Sequence, residues 1–509
     1  MTKRFFIFSE KQTEILIFLL AFLIFSVTIS NGLNVFDFIS YANLIQQSFK
    51  TDDYFLPFQA FGSYGGGQGG LSRNFLYIVV SSPFTYLFSN LLNMNIELTL
   101  NIFSAIVTSL SAVFVYKISR LFFNKRKSML STLLYLLIPF IFFNGINATT
   151  YSFQLFTSSV WIYFLLKAIK TKTEKFGLIS SLVFVANTLV SLSGAPLIFA
   201  QIYGLTKISK KIDWLVKNFA ILLIVVALVY YFSFVNKAYP TTFNLLNVLF
   251  ISSLFIWESI NGLSIAFFIF ISLSLFYLVV RILKRKFDYF DVIFALSFIS
   301  LLSSLIIFQF IPIANFTPIF AFLPVLFIKT FYNNKFFRFI ILVILIFEFV
   351  KISPLIYQFH TYPHPHKDYS LWLNQIAQGS VVLAGHECPW IQYYTNLTFV
   401  CRARDLQQID LQGKKIIVTE EYFKNENQME FEYLLNSFNL PFANAVKEEL
   451  GKPDVIANRT VTKIADYPYN VRAIEDPYQW LYTTYPKIYL SVFMNLEFVK
   501  PRYAIYSAV

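Results

Sequence analysis

Cysteine is nearly absent from this 509-residue chain: only Cys388 and Cys401 are present. That excludes a disulfide-stapled scaffold, and two thiols alone do not make a structural zinc site. Charge is thin as well. Asp, Glu, Lys and Arg together make 14% of the residues, where soluble domains carry about 25%. A cytosolic enzyme and a disordered hub are therefore excluded. The motifs of common soluble chemistry are missing too. There is no Walker loop, no GxGxxG opening a helix in a βαβ unit, no HExxH and no CxxC. What fills the chain instead is apolar and aromatic. Hydrophobic residues are 56%, with 62 Phe and 31 Tyr, and the mean hydropathy is +0.59. This composition is that of a polytopic membrane protein.

The net charge of +13 would suit a nucleic-acid binder, but its distribution does not. Residues 1–357 hold 27 Lys/Arg against 12 Asp/Glu, and residues 358–509 hold 14 against 16. The positive charge belongs to the apolar part, so no nucleic-acid partner is expected. A span needs about 20 apolar residues. Eleven candidates lie near 12–31, 97–121, 129–146, 150–169, 176–194, 195–207, 214–234, 261–283, 288–309, 314–331 and 336–357. Residues 75–93 and 241–257 are also apolar and are read as re-entrant or interfacial helices. The reason is electrostatic. With eleven spans, the basic clusters at 3–11, 117–127, 167–175, 207–217, 281–286 and 329–338 all fall on one side, the cytoplasm by the positive-inside rule. The N-terminus is then cytoplasmic and the region after 357 extracytoplasmic. Lys3, Arg4 and Lys11 precede the first apolar run without a small-residue cleavage site, which reads as a signal anchor.

Two regions follow: residues 1–357, a transmembrane domain with a long first external loop (32–96), and residues 358–509, an external soluble region. In the second, Val381–Ala384, Leu397–Val400 and Lys415–Thr419 read as strands and Glu430–Phe438 as an amphipathic helix, which predicts a small α/β domain. Cys388 and Cys401 flank a short loop there and are either bonded to each other or two free thiols. His364-Pro365-His366 reads as a solvated linker more readily than as a weak chelator. Asn147, Asn396 and Asn458 each open an Asn-x-Ser/Thr triplet on the external side.

Within the first loop, residues 36–48 read as an amphipathic helix lying on the membrane surface, with Ile39, Ala42, Leu44 and Ile45 apolar. Asp37 opens it. A carboxylate at that boundary can take a proton from a hydroxyl or bind a cation, or simply stabilise the helix N-terminus. Arg73, one of four Lys/Arg outside the basic clusters in residues 1–357, suits a phosphate head group or a lipid contact. The glycine-rich patch at 65–70 reads as a hinge.

In their order along the chain, these features resemble the GT-C membrane glycosyltransferases that use polyprenyl-phosphate sugars, among them the protein O-mannosyltransferases and the aminoarabinose transferase of lipid A. The segment Asp37-Phe38-Ile39-Ser40-Tyr41-Ala42 is similar to the Asp-Glu-x-x-Tyr-Ala that opens their external helix. Arg73-Asn74-Phe75-Leu76-Tyr77 is similar to their cation-and-aromatic segment. Phe255-Ile256-Trp257-Glu258-Ser259 is similar to a later external pair that serves a metal. The chain departs from the pattern at four places. Phe38 replaces a Glu, and Ser152 or Gln154 stands where an acid is expected. Ser193-Gly194-Ala195-Pro196 replaces Lys-Gly-Pro, and Asn315 occupies a stretch that often carries a base. The resemblance implies a GT-C-like fold of about 11 transmembrane helices with a C-terminal external α/β domain. It implies transfer of a sugar from a polyprenyl- or dolichyl-phosphate donor to an acceptor hydroxyl on a protein, lipid or glycan. Asp37 would be the catalytic base. Arg73, Tyr41 and Tyr77 would bind substrate, and Asp53 or Glu258 would hold a divalent cation, Mg²⁺ or Mn²⁺. A membrane scaffold that kept the fold and lost the site is the competing reading.

Overall fold

The computed structural model describes residues 9–33, 36–54, 56–57, 74–230, 265–308, 313–332, most of 339–350, 360, 365–384, 388–400, 415–419, 461–467 and 504–508. The chain forms two compact units. One comprises residues 1–30, 57–241 and 251–357; the other comprises 31–56, 242–250 and 358–509.

The first unit is helical. Its described helices are α1 (Glu10–Val27), α3 (Phe75–Leu92), α4 (Ile96–Arg120), α5 (Lys125–Leu136), α6 (Pro139–Ile146), α7 (Thr150–Thr171), α8 (Glu174–Val190), α9 (Ile198–Ile208), α10 (Ile212–Tyr230), α11 (Ile265–Leu283), α12 (Tyr289–Phe308) and α13 (Leu323–Phe331). Short 3₁₀ segments at Leu192–Leu197 and Ile313–Ile319 lead into α9 and α13. Among the described residues, α3, α4 and α7 are continuous helices long and apolar enough to cross a membrane.

One expectation changes here. The apolar run at 129–146 is not one straight span. It breaks into α5 and α6, which meet at 70°. Pro139 opens α6, and a proline disfavours helical geometry in the residue before it, so Ile138 is extended (ψ 120°). The segment at 75–93, read as a re-entrant or interfacial helix, is a single 18-residue helix that carries Pro83 without a break.

Helix α7 packs most extensively against α8 and α4, and a buried polar seam ties α7 and α8 to the helices that follow. Trp161 Nε1 donates to Gln201 Oε1 (2.7 Å) and Ser180 donates to the same oxygen (3.0 Å). Gln201 Nε2 donates to Ser181 Oγ (3.0 Å), which donates in turn to Asn218 Oδ1 (2.7 Å). Four helices are joined by that seam, with every one of these side chains buried. Asn101 of α4 joins a second knot: it receives the Ala148 amide (2.7 Å) and donates to the Ser30 carbonyl (3.2 Å). Asn147, the first triplet asparagine, is fully buried and caps α6 by donating to Phe143 O (3.0 Å). It is thus no acceptor for a glycan.

Not all basic residues of the clusters are free orientation charges. Asp291 on α12, fully buried, binds Arg281 of α11 (2.9 Å) and Lys329 of α13 (2.9 Å), and Lys329 also binds Asp288 (2.6 Å).

The second unit holds a five-stranded sheet in the order β2-β1-β3-β5-β4. Strands β1 (Val381–Leu383), β2 (Thr398–Val400) and β3 (Ile416–Thr419) are mutually parallel and stand where the sequence predicts them. Strands β4 (Val461–Asp466) and β5 (Ala504–Ala508) add antiparallel partners that the alternation did not reveal. The helices α14 (Pro365–Ile376) and α15 (Cys388–Tyr394) cover it, and Tyr369, Leu373, Val382, Ile391 and Ile417 share its core. Tyr467 packs there edge-on to Tyr369 (5.7 Å). Burial, and then the Asp368 carboxylate, push its phenol above the ordinary range. Cys388 is disulfide-bonded; Cys401, the other cysteine of the chain, lies outside the described residues, as do Asn458 and 430–438. Pro365 begins α14, so the proline-rich linker reading ends at 364. Asn396 is exposed.

The Asp291 staple gives a prediction. Replacing Asp291 with Ala leaves Arg281 without its buried partner and should cost about 3 kcal/mol. Thermal unfolding in detergent checks it, with the exposed Lys211→Ala as a variant expected to leave the midpoint in place.

Candidate active site

Residues 36–51 form α2 (Phe36–Thr51), a helix of the second unit. Its C-terminus is set by Asp52, whose φ of 54° is the left-handed conformation that ends helices. Ile39, Ala42, Leu44 and Ile45 are all buried, and α2 packs against α15. The apolar stripe that suggested a helix lying on lipid is thus spent inside the second unit.

Two hydrogen bonds fix this helix. Asn43 Nδ2, itself buried, donates to Pro389 O at 2.9 Å. Trp390 Nε1 donates to Leu33 O at 3.4 Å. The stretch from Leu33 to Asn43 is therefore tied near both ends to two consecutive residues in the first turn of α15. Asp37 occupies the second position of α2 between those ties, and Tyr41, 1% exposed, follows one turn later. Residues four apart share a helix face.

The remaining expected site residues lie elsewhere. Tyr77 is on α3 of the first unit, buried, with its ring edge-on to Phe103 (5.6 Å) and Phe153 (6.3 Å). Asp53 is half-buried on the turn beyond α2. Arg73, Glu258 and the glycines at 65–70 lie outside the described residues. The helix itself tests the cation reading. Asp37 and the last residue of α2 are separated by fourteen residues, which at 1.5 Å per residue is roughly 21 Å. An ion at Asp53 cannot also reach Asp37. Among the described residues no group of three or more His, Cys, Asp or Glu could hold a metal ion.

The departures from the family pattern converge in the first unit. Ser152 and Gln154 lie in the first turns of α7, which Thr149 caps by accepting from Ser152 N (3.2 Å). Ser152 Oγ donates to Ser104 Oγ (3.1 Å) and to Thr149 O (2.6 Å). Gln154 Nε2 donates to Ser193 Oγ at 2.6 Å, and Ser193 and Ser191 hydroxyls meet at 3.0 Å. Gln154, one of the two residues that stand where an acid is expected, thus touches Ser193, the first residue of the segment that replaces Lys-Gly-Pro. Asn187 completes the cluster, accepting from Thr157 (2.9 Å) and Ser158 (2.9 Å). No sequence motif pointed to Asn187 or Ser191. The signal was the polar spacing of 150–159 (Thr150, Ser152, Gln154, Thr157, Ser158) inside an apolar segment, where polar groups mark function or helix pairing.

Comparison with known proteins places this geometry. The family model described as dolichyl-phosphate-mannose-protein mannosyltransferase matches residues 80–231. No curated protein sequence matches the chain. Among solved structures, the Archaeoglobus fulgidus oligosaccharyltransferase tethered with an acceptor peptide is similar over 98% of this chain and 89% of its own, at 12% identity and a TM-score of 0.58. ArnT from Cupriavidus metallidurans bound to undecaprenyl phosphate is similar over 80% and 92%, at 13% identity and 0.52. The archaeal enzyme AglB in complex with an inhibitory peptide and a dolichol-phosphate is similar over 85% and 72%, at 13% and 0.52. The chain has the GT-C fold of these membrane proteins.

Pinning of α2 is testable directly. Asn43→Leu removes the donor to Pro389 O and should speed amide hydrogen exchange in α2 roughly five-fold, the equivalent of about 1 kcal/mol. Exchange in α7 should not change.

Proposed function

We propose that the protein is an integral membrane glycosyltransferase that moves a sugar from a polyprenyl- or dolichyl-phosphate donor to an acceptor hydroxyl on the extracytoplasmic face. The observation that carries the reading is the fixing of the Asp37 segment by α15, in a chain with the GT-C fold. A residue that needs only to stabilise a helix terminus needs no such fixing, whereas a base must be held within reach of its proton.

In this mechanism Asp37 takes the acceptor hydroxyl proton as the acceptor oxygen forms its bond to the anomeric carbon. The anomeric carbon–phosphate oxygen bond breaks on the opposite face, with inversion. The electron pair leaves with the polyprenyl phosphate, whose charge rises from −1 to −2. Fixed positive charge at that phosphate is the largest expected catalytic term, and Arg73 is the residue proposed to supply it. Tyr41 and Tyr77 would line the substrate path. A divalent cation held by Asp53 or Glu258 would neutralise the leaving phosphate.

A scaffold without catalysis is the second reading. It is favoured by one observation, the neutral Gln154–Ser193 pair at two positions expected to be charged.

The experiment is turnover of a panel of polyprenyl-phosphate sugars by the purified protein in nanodiscs. Asp37→Asn should lower turnover by at least about 100-fold while donor binding stays unchanged. Turnover by the wild type with none of the donors, from protein shown to be folded, would favour the scaffold. Titrating Mg²⁺ or Mn²⁺ against Asp53→Asn tests the cation separately: a changed cation requirement would support Asp53 as its ligand.

A further inference from the structure

The Gln154–Asn187 cluster is incompletely satisfied. Gln154 and Asn187 are both 0% exposed. Gln154 spends its amide nitrogen on Ser193, and its Oε1 has no hydrogen-bond partner. Asn187 spends its Oδ1 on Thr157 and Ser158, and its Nδ2 has none. The two amides converge on adjacent residues. Gln154 bonds Ser193, and a Cβ added to Gly194 would lie 2.6 Å from Asn187 Nδ2. Ser191 and Ser193 are half-buried and form the open edge of the cluster. Among the described residues no charged side chain takes part.

One orphaned acceptor and one orphaned donor, on side chains that reach the adjacent residues Ser193 and Gly194, specify a partner. A buried polar atom left without a hydrogen bond is costly, and a hydroxyl group satisfies both kinds at once. A divalent cation asks for several oxygen ligands and has no use for an amide N–H. A phosphate oxygen offers no proton to Gln154 Oε1. We propose that Gln154 and Asn187 form a neutral subsite for a ring hydroxyl of the donor sugar, in a place where the family pattern would put charge. This rests on the transferase reading above.

The test is equilibrium binding of two lipids to the full-length protein in nanodiscs: dolichyl phosphate and dolichyl-phosphate mannose. Wild type should prefer the mannosylated lipid. Gln154→Met, close in volume, should lose about ten-fold of that preference and leave dolichyl phosphate affinity unchanged. A set of monodeoxy-mannose donors on the wild type gives an independent measurement. One of them should bind about ten-fold more weakly than the parent, and Gln154→Met should not discriminate against that analogue. Equal binding of every monodeoxy donor, or a Gln154→Met protein with the wild-type preference, overturns the subsite and leaves a buried water as its occupant. That outcome does not touch the lipid-phosphate reading, because both lipids still bind. Wild type binding neither lipid would overturn both.

Discussion

The hydrogen bond from Trp161 to Gln201 (2.7 Å) stands at the centre of the constraint that shapes the helical unit. Between apolar helices in lipid there is no hydrophobic driving force for association, so small and polar contacts select which helices pair. Gln201 accepts from α7 and α8 and donates back to α8, and Ser181 passes the chain to α10. Gly204 lets α9 approach so closely that a Cβ there would collide with the Leu165 side chain. Once α7, α8 and α9 are locked at this depth, the ends of α7 and α8 are fixed too. The placement of Gln154, Asn187 and the 3₁₀ turn at Leu192–Leu197 follows from it.

The apolar helices were legible because burial in lipid writes itself into local composition. The same holds for the parallel strands β1 and β3, whose Val/Ile/Leu runs are those of strands covered on both faces. The break between α5 and α6 had its signal in Pro139, but an apolar run hides a bend that hydropathy does not register. Helix α2 was legible as a helix, and its extent nearly so. Its surroundings were not. An apolar stripe of Ile39, Ala42 and Ile45 looks the same facing lipid or protein, and the partner, α15, lies some 350 residues further on. Contacts of such separation, Asn43 to Pro389 among them, have no local signature.

The same limit explains the candidate site. Gln154 and Ser193 each read as a loss when taken singly against the family pattern. Only the fold shows that the two side chains are hydrogen-bonded to each other. A carboxylate and an ammonium facing each other would be costly to keep if only one survived, because the remaining buried charge would lack its partner. A neutral amide with a neutral hydroxyl avoids that cost altogether. The pair is therefore a coherent alternative rather than two separate defects.

That coherence weighs on the choice between enzyme and scaffold. A protein relieved of catalysis gains by replacing buried polar side chains with apolar ones of similar volume, which is neutral or stabilising once both partners are gone. Here a Gln oxygen and an Asn nitrogen stay buried and unpartnered within one cluster, each at a cost of about 1–3 kcal/mol. The seam around Gln201, a few turns deeper, shows the opposite economy: every polar atom of Gln201 and Trp161 is matched. The Gln201 side chain holds helices together, whereas the unpartnered amide atoms of Gln154, near the N-terminus of α7, and of Asn187, near the C-terminus of α8, are the ones a bound hydroxyl would satisfy.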